Sequence, residues 1–247
     1  MTDHAGRVAV ITGAARGFGR GFAEALAANG VKVVIADIDG AEAERTASAI
    51  GPAAEPLALD VADEAAVFAA MKAVAARHGG IDILINNAGI HSVAAAKPLG
   101  EIGIAAARAM FEVNVWGVIN CTLAAAPFMA GRANASVVNI SSMASYNCTT
   151  AYGVSKLAVR GITVDFAHEL APQGIRVNAI APGLMLTDTI RAELPEAIVQ
   201  AVTAMQLVKR EGSVDDIVQA MLYLVSPGAG FMTGECLRVS AGVTLQP

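Results

Sequence analysis

The sequence predicts an α/β protein of one domain, residues 1–247, built on a doubly wound parallel sheet flanked by helices. Three observations carry that prediction. Short β-rich runs alternate with alanine-rich helical stretches over nearly the whole chain. The β-rich runs are continuously apolar and do not alternate, as expected of strands covered on both faces. No linker, repeat or low-complexity segment interrupts the rhythm, and repeated strand–helix units of this kind give parallel sheets with right-handed crossovers.

The elements follow in order. Arg7 to Thr12 reads as the first strand and Phe18 to Asn29 as its helix, ended by Gly30. Val31 to Asp37 is the second strand, and Ala41 to Ile50 the second helix, stopped by Gly51-Pro52. Leu57 to Asp60 reads as a third strand, then Asp63 to His78 as a helix backed by Gly79-Gly80. Ile81 to Asn86 is the fourth strand. Gly103 to Met129 reads as one long helix, bent or ending near Pro127, which lacks a backbone donor. Val137 to Ile140 makes strand five, Thr150 to Leu170 a long helix, Ile175 to Ala181 strand six, and Val214 to Val225 the last helix. Pro182 to Lys209 breaks the rhythm, and within it 183–209 is a candidate lid over a substrate.

Composition narrows the function classes. Apolar residues make up 55% and charged residues 16%, ample for a buried core and for subunit contacts. A net charge of -5 without a basic cluster argues against nucleic-acid binding. Cys121, Cys148 and Cys236 are far apart and lack CxxC spacing, so they read as reduced cysteines of a cytoplasmic protein. His4, His78 and His168 show no ligand spacing, and no metal is expected. Residues Met1 to Arg7 lack a signal-like pattern, and no purely apolar run reaches the ~18 residues of a membrane span.

Two motifs carry chemistry. In Ala151-Tyr152-Gly153-Val154-Ser155-Lys156, the tyrosine and lysine lie four residues apart and share a helix face. A fixed cation favours the phenolate, and lowering a tyrosine from its usual ~10 by three units takes about 4 kcal/mol. One close lysine and a cofactor's positive charge together are expected to supply it, making Tyr152 a general base or acid near neutral pH. At the other end, Thr12-Gly13-Ala14-Ala15-Arg16-Gly17-Phe18-Gly19 stands between a strand and a helix, where bare backbone can approach a pyrophosphate at the helix N-terminus. Asp37 closes strand two, placed to bind both ribose hydroxyls and repel a 2′-phosphate. Its neighbour Ile38 offers no cation, whereas Arg16 in the loop points toward NADP; Asp37 is taken as the stronger influence, which predicts NAD.

In number and order these motifs resemble the short-chain dehydrogenase/reductase family over essentially the whole chain: the glycine loop, Asp60-Val61, Asn86-Asn87-Ala88-Gly89, Asn114, Ser141-Ser142, Tyr152 with Lys156, and Pro182-Gly183 with Thr187. The resemblance implies a Rossmann-type fold, a nicotinamide-dependent oxidoreductase, a homotetramer, and a catalytic tetrad of Asn114, Ser142, Tyr152 and Lys156. It further implies that Gly13, Arg16, Gly17, Phe18 and Gly19 cradle the cofactor and that Asp37 and Ile38 meet its adenosine. Asp60 and Val61 would flank the adenine, and Asn87, Ala88 and Gly89 would line the ribose side. Thr187 would hold the carboxamide, with Pro182, Gly183 and Leu184 close by. Lys156 would hold ribose hydroxyls, Ser142 would donate to the substrate oxygen, and the Asn114 side chain would order a water beside Lys156.

Two departures stand out. The stretch between Ser142 and Tyr152 is shorter than the family's, and counting back at the family's spacing lands on Asn139, inside a strand. The strand end sets the register instead, which favours Ser142 and leaves Ser141 open. In Arg238-Val239-Ser240-Ala241-Gly242, serine and alanine replace the aspartate and glycine common among relatives. Candidate substrate residues are His91, Met143, Tyr146, Met185 and Met205, with Ile90, Leu184 and Leu186 nearby in type. Their apolar character points to a small hydrophobic secondary alcohol or ketone. The alternatives are an NADPH-dependent 3-oxoacyl-type ketoreductase and a noncatalytic cofactor-sensing protein on the same fold.

Overall fold

Every residue of β1, Val8–Thr12, is buried, and its side chains divide strictly between two cores. Val8 and Val10 face one side of the sheet, Ala9 and Ile11 the other. Each large aliphatic side chain so buried contributes about 1.5–3 kcal/mol, as suits a strand inside the sheet and away from its edges. The computed structural model describes residues 4–91, 97–187, 191 and 194–245. After β1 come α1 (Gly17–Ala28), β2 (Lys32–Asp37), α2 (Gly40–Ile50), β3 (Ala54–Ala58), α3 (Glu64–His78) and β4 (Ile83–Asn86). Then follow α4 (Leu99–Ile102), α5 (Ile104–Phe111), a π-helical turn (Glu112–Trp116), α6 (Gly117–Met129), β5 (Ser136–Ile140), a 3₁₀ turn (Met143–Tyr146) and α7 (Ala151–Leu170). β6 (Arg176–Pro182), α8 (Glu196–Met205), α9 (Val214–Leu224) and β7 (Cys236–Val239) complete the chain.

The seven strands form one parallel sheet in the order β3-β2-β1-β4-β5-β6-β7. Residues of α3, α6 and α7 cover one face, and residues of α1, α2 and α9 the other. The predicted doubly wound, Rossmann-type single domain is therefore the observed one. The chain winds outward from β1 to β3 and returns to β4 on the other side of β1. The carboxyl ends of β1 and β4 part at that switch point and open the crevice where ligands bind in such sheets.

Two expectations need correction. The third strand lies at Ala54–Ala58, earlier than Leu57 to Asp60, because an edge strand needs few apolar residues and tolerates Pro56. The run Gly103 to Met129 is not one helix: it is interrupted by the π turn around Asn114, and α6 ends at Met129, two residues after Pro127. The last strand is Cys236–Val239, and Ala241 lies beyond it at φ 52°, a left-handed conformation costing an alanine roughly 1 kcal/mol. A glycine would avoid that cost. The helical run Ile104–Met129 is long and apolar enough to cross a membrane, but half of its most apolar window is buried within the fold.

At the amino edge of the sheet, Asp82 accepts hydrogen bonds from Val8 N (2.8 Å) and from Arg132 Nε (2.6 Å). Arg7 donates to Val225 O and Asn134 O, and Arg176 to Leu224 O and Asn134 Oδ1. These arginines satisfy the carbonyls that the end of α9 leaves without helical partners.

Candidate active site

A cleft of about 720 Å³ runs along the carboxyl edge of the sheet from the glycine loop to Tyr152. Its dinucleotide end is built by β1, β2 and β4. Gly17 sits at φ 58° with open space where a Cβ would stand, so the loop leaves room for a ligand at the start of α1. Gly19 is packed beneath the loop: a Cβ there would lie 2.3 Å from Gly13 O. Thr12 and Asn87 fasten this loop to the one after β4. Thr12 Oγ1 accepts from Asn87 N and Ala88 N (both 3.1 Å), and Asn87 Nδ2 donates to Thr12 O and Gly13 O. Asp37 accepts from Ala15 N and Asp39 N, both at 3.0 Å, so it also caps the turn. Gly13, Arg16 and Phe18 line the cleft at this end with Ile38, Asp60 and Val61; Ala88, Gly89, Pro182, Gly183, Leu184 and Thr187 line it further along. Bare backbone at a helix start, a carboxylate at the end of β2 and this volume fit a nicotinamide dinucleotide.

The reactive end is set by β5 and α7. Thr150 caps α7 by accepting from Gly153 N (3.0 Å), and the helix then projects Tyr152 and Lys156 into the cleft. Ser142, at the mouth of the 3₁₀ turn, accepts from Ala144 N (3.1 Å) and is hydrogen-bonded to Tyr152. Ser141 also borders the cleft, but its hydroxyl is spent on Lys156 O at 2.8 Å. Lys156 Nζ donates to Ile140 O (2.8 Å) and stands 5.8 Å from the centre of the Tyr152 ring. His91 packs edge-on against the same ring with centroids 4.6 Å apart.

Electrostatically the pair departs from expectation. Burial pushes the Tyr152 phenol up to about 12, against the lowering pull of its Ser142 hydrogen bond. Burial also lowers Lys156 to about 8. The expected depression of Tyr152 is thus reversed in the protein alone, because both groups are desolvated together.

Asn114 is fully buried and does not line the cleft. Its Oδ1 accepts from Ile90 N (2.6 Å), and its Nδ2 donates to Ile90 O and Ser155 Oγ, both at 3.1 Å. Both amide protons are committed, so the side chain anchors the loop after β4.

Among the substrate candidates, His91, Met143 and Met185 line the cleft, as do Ile90 and Leu184. Tyr146 does not: it is held in a separate surface hollow, its ring stacked 3.9 Å from the Arg160 guanidinium. Met205 is exposed at the end of α8 and also lies outside the cleft. Asn147 and Thr149 of the β5–α7 loop also line the cleft; the sequence reading missed Thr149, and Asp39, which pairs with Arg16. Of the candidate lid, residues 188–190, 192 and 193 lie outside the described residues. Among the described residues no cluster of three or more His, Cys, Asp or Glu is able to hold a metal.

A family model described as enoyl-(acyl carrier protein) reductase matches residues 13–244. The chain belongs to the short-chain dehydrogenase/reductase family. Within that family it is 38% identical to galactitol 2-dehydrogenase of Agrobacterium fabrum over 250 residues, with 96% of each chain covered. It is 36% identical to cis-4-hydroxycyclohexanecarboxylate dehydrogenase of Sinomonas cyclohexanicum over 243 residues, again with 96% of each covered. A solved 7α-hydroxysteroid dehydrogenase, complexed with NADH and 7-oxo glycochenodeoxycholic acid, superposes with a TM-score of 0.90 at 32% identity, over 96% of this chain and 94% of that one. Membership makes this protein an NAD(P)-dependent oxidoreductase acting on CH–OH groups.

Proposed function

We propose that the protein interconverts a secondary alcohol and its ketone with NAD, and that Tyr152 moves the proton. The observation that carries this reading is the joining of Tyr152, Ser142 and Lys156 to the glycine loop and Asp37 by one continuous cleft. When bound, the nicotinamide supplies the hydride acceptor or donor. In oxidation the Tyr152 oxygen takes the hydroxyl proton; in reduction its phenol returns a proton to the carbonyl oxygen. Ser142, not Ser141, donates to that oxygen, since only its hydroxyl is free of the α7 backbone. Raised to about 12, Tyr152 rests as the phenol, the proton-donor form for ketone reduction. Lys156 and the positive charge of the oxidised cofactor together act to lower it for oxidation.

NAD is favoured over NADP because Asp37 lines the adenosine end of the cleft, where its carboxylate repels a 2′-phosphate. Arg16 in the same wall is the observation that favours an NADPH ketoreductase, but it is paired with Asp39 at 2.7 Å. The substrate's carbon skeleton packs on Ile90, Met143, Leu184 and Met185, while Asn147 and Thr149 add polar contacts. A small neutral alcohol fits that wall. The reading of 183–209 as a lid is supported, among the described residues, by Gly183, Leu184, Met185 and Thr187, which border the cleft. Exposed Leu123, Leu157 and Val164 on α6 and α7 support a homotetramer, and three free cysteines suit the reducing cytoplasm.

The test is NADH formation from NAD over a panel of secondary alcohols and polyols, with NADP and the Tyr152→Phe variant alongside. Turnover with NAD that drops by at least ~100-fold in the variant is the expected result. Undiminished turnover in Tyr152→Phe would remove Tyr152 from its role.

A further inference from the structure

Arg16 does not stand free at the adenosine end of the cleft. Its Nη2 lies 2.7 Å from Asp39 Oδ2 and 4.0 Å from Glu42 Oε2. Glu42 is itself paired with Arg45, so the partner that claims Arg16 is Asp39. Asp39 is held in place from three sides. Its N–H donates to Asp37 Oδ1 at 3.0 Å, its Oδ1 caps α2 by accepting from Glu42 N at 3.1 Å, and its Oδ2 takes the guanidinium. Two carboxylates, Asp37 at the end of β2 and Asp39 at the N-cap of α2, therefore stand two residues apart, and the guanidinium that the glycine loop turns toward them is already paired.

We infer that Asp39 is a specificity-determining residue: by restraining Arg16 it withholds from a 2′-phosphate the cation that the glycine loop presents. Asp37 repels the phosphate, and Asp39 denies it a partner. The pair is exposed, with side-chain accessibilities of 63% and 44%, so it adds little to folding; its consequence lies in where the charge is held. The inference rests on the NAD reading given above.

The experiment is a set of fluorescence titrations with NADPH and NADH on wild type, Asp39→Asn, Arg16→Ala and the double variant. Asparagine still caps a helix, and Asp39→Ser, another capping residue, serves as a second neutral replacement. Losing one negative charge and releasing one positive charge beside a dianion corresponds to about tenfold tighter NADPH binding, with NADH changed by less than about twofold. Arg16→Ala alone measures what Arg16 itself contributes to NADPH binding, and in the Asp39→Asn background it is expected to cancel the gain by more than that single effect. This non-additivity is the signature of a restrained partner. No gain in either neutral variant, or a gain that survives in the double variant, overturns the inference while leaving the NAD reading intact. A wild-type protein that binds NADPH more tightly than NADH overturns both.

Discussion

Asn114→Ala separates an anchoring role from a proton-relay role. The wild-type amide makes three buried or part-buried hydrogen bonds, to Ile90 N, Ile90 O and Ser155 Oγ. At about 1 kcal/mol for each, the variant is expected to be destabilised by about 3 kcal/mol. For a chain of this size, a loss of that order lowers the melting temperature by roughly 6–12 °C. Turnover should fall with it, because Ile90 precedes His91, whose ring packs against Tyr152. The assay is thermal unfolding by circular dichroism at fixed protein concentration, since assembly makes Tm concentration-dependent, paired with kcat/KM across pH. A variant that melts within about 2 °C of wild type while its turnover collapses would refute the anchoring argument and restore the relay.

Two further outcomes follow from the site. Lys156 titrates near 8 when folded instead of 10.5, so below pH 8 the native state bears a buried charge that the unfolded chain holds in water. Lys156→Met should therefore melt higher at pH 7, by about 2 kcal/mol once the lost Ile140 hydrogen bond is counted. That advantage should shrink between pH 8 and 10.5 in a melting series, and a lower-melting variant at pH 7 would contradict it. Gly17→Ala should cost folding only about 1 kcal/mol, for its left-handed backbone, yet weaken NADH binding by more than about tenfold. Gly19→Ala, its Cβ 2.3 Å from Gly13 O, should instead disrupt the loop itself and lower Tm further. Titrations and melts of both variants decide this, and a Gly17→Ala protein that binds NADH normally would show that the loop has another task.

What the sequence disclosed and what it hid divide along physical lines. Continuous apolar strands and capped helices report on local burial and backbone preference, so the βα order was readable, including Thr150 as the start of α7. β3 was misplaced because an edge strand, carrying Glu55 and Pro56, has little apolar signal. The π turn at Asn114 leaves no mark in composition, and the pairing of its side chain with Ile90 is visible only in the tertiary structure. Tyr146 and Met205 were assigned by residue type, but side-chain direction in the 3₁₀ turn and the exposed end of α8 sends them elsewhere. The Tyr152 shift changed sign because a sequence reveals a neighbouring lysine, not the water that both groups lose. Asp39 escaped notice for a similar reason: an acid at a helix N-cap looks sufficient in that role. Ala241 stands where relatives commonly have glycine, and only the structure shows its left-handed backbone.

The Asp82–Arg132 clasp and the Arg7 and Arg176 contacts gather five segments of chain at the end of the sheet farthest from Tyr152. Firmness and chemistry therefore occupy opposite rims. The loops at the carboxyl edge, the β5–α7 loop among them, stand apart from these contacts. A designer wishing to harden this protein against heat has a rim to work on that no substrate visits, and one wishing to retarget it can redraw the other without first strengthening the frame.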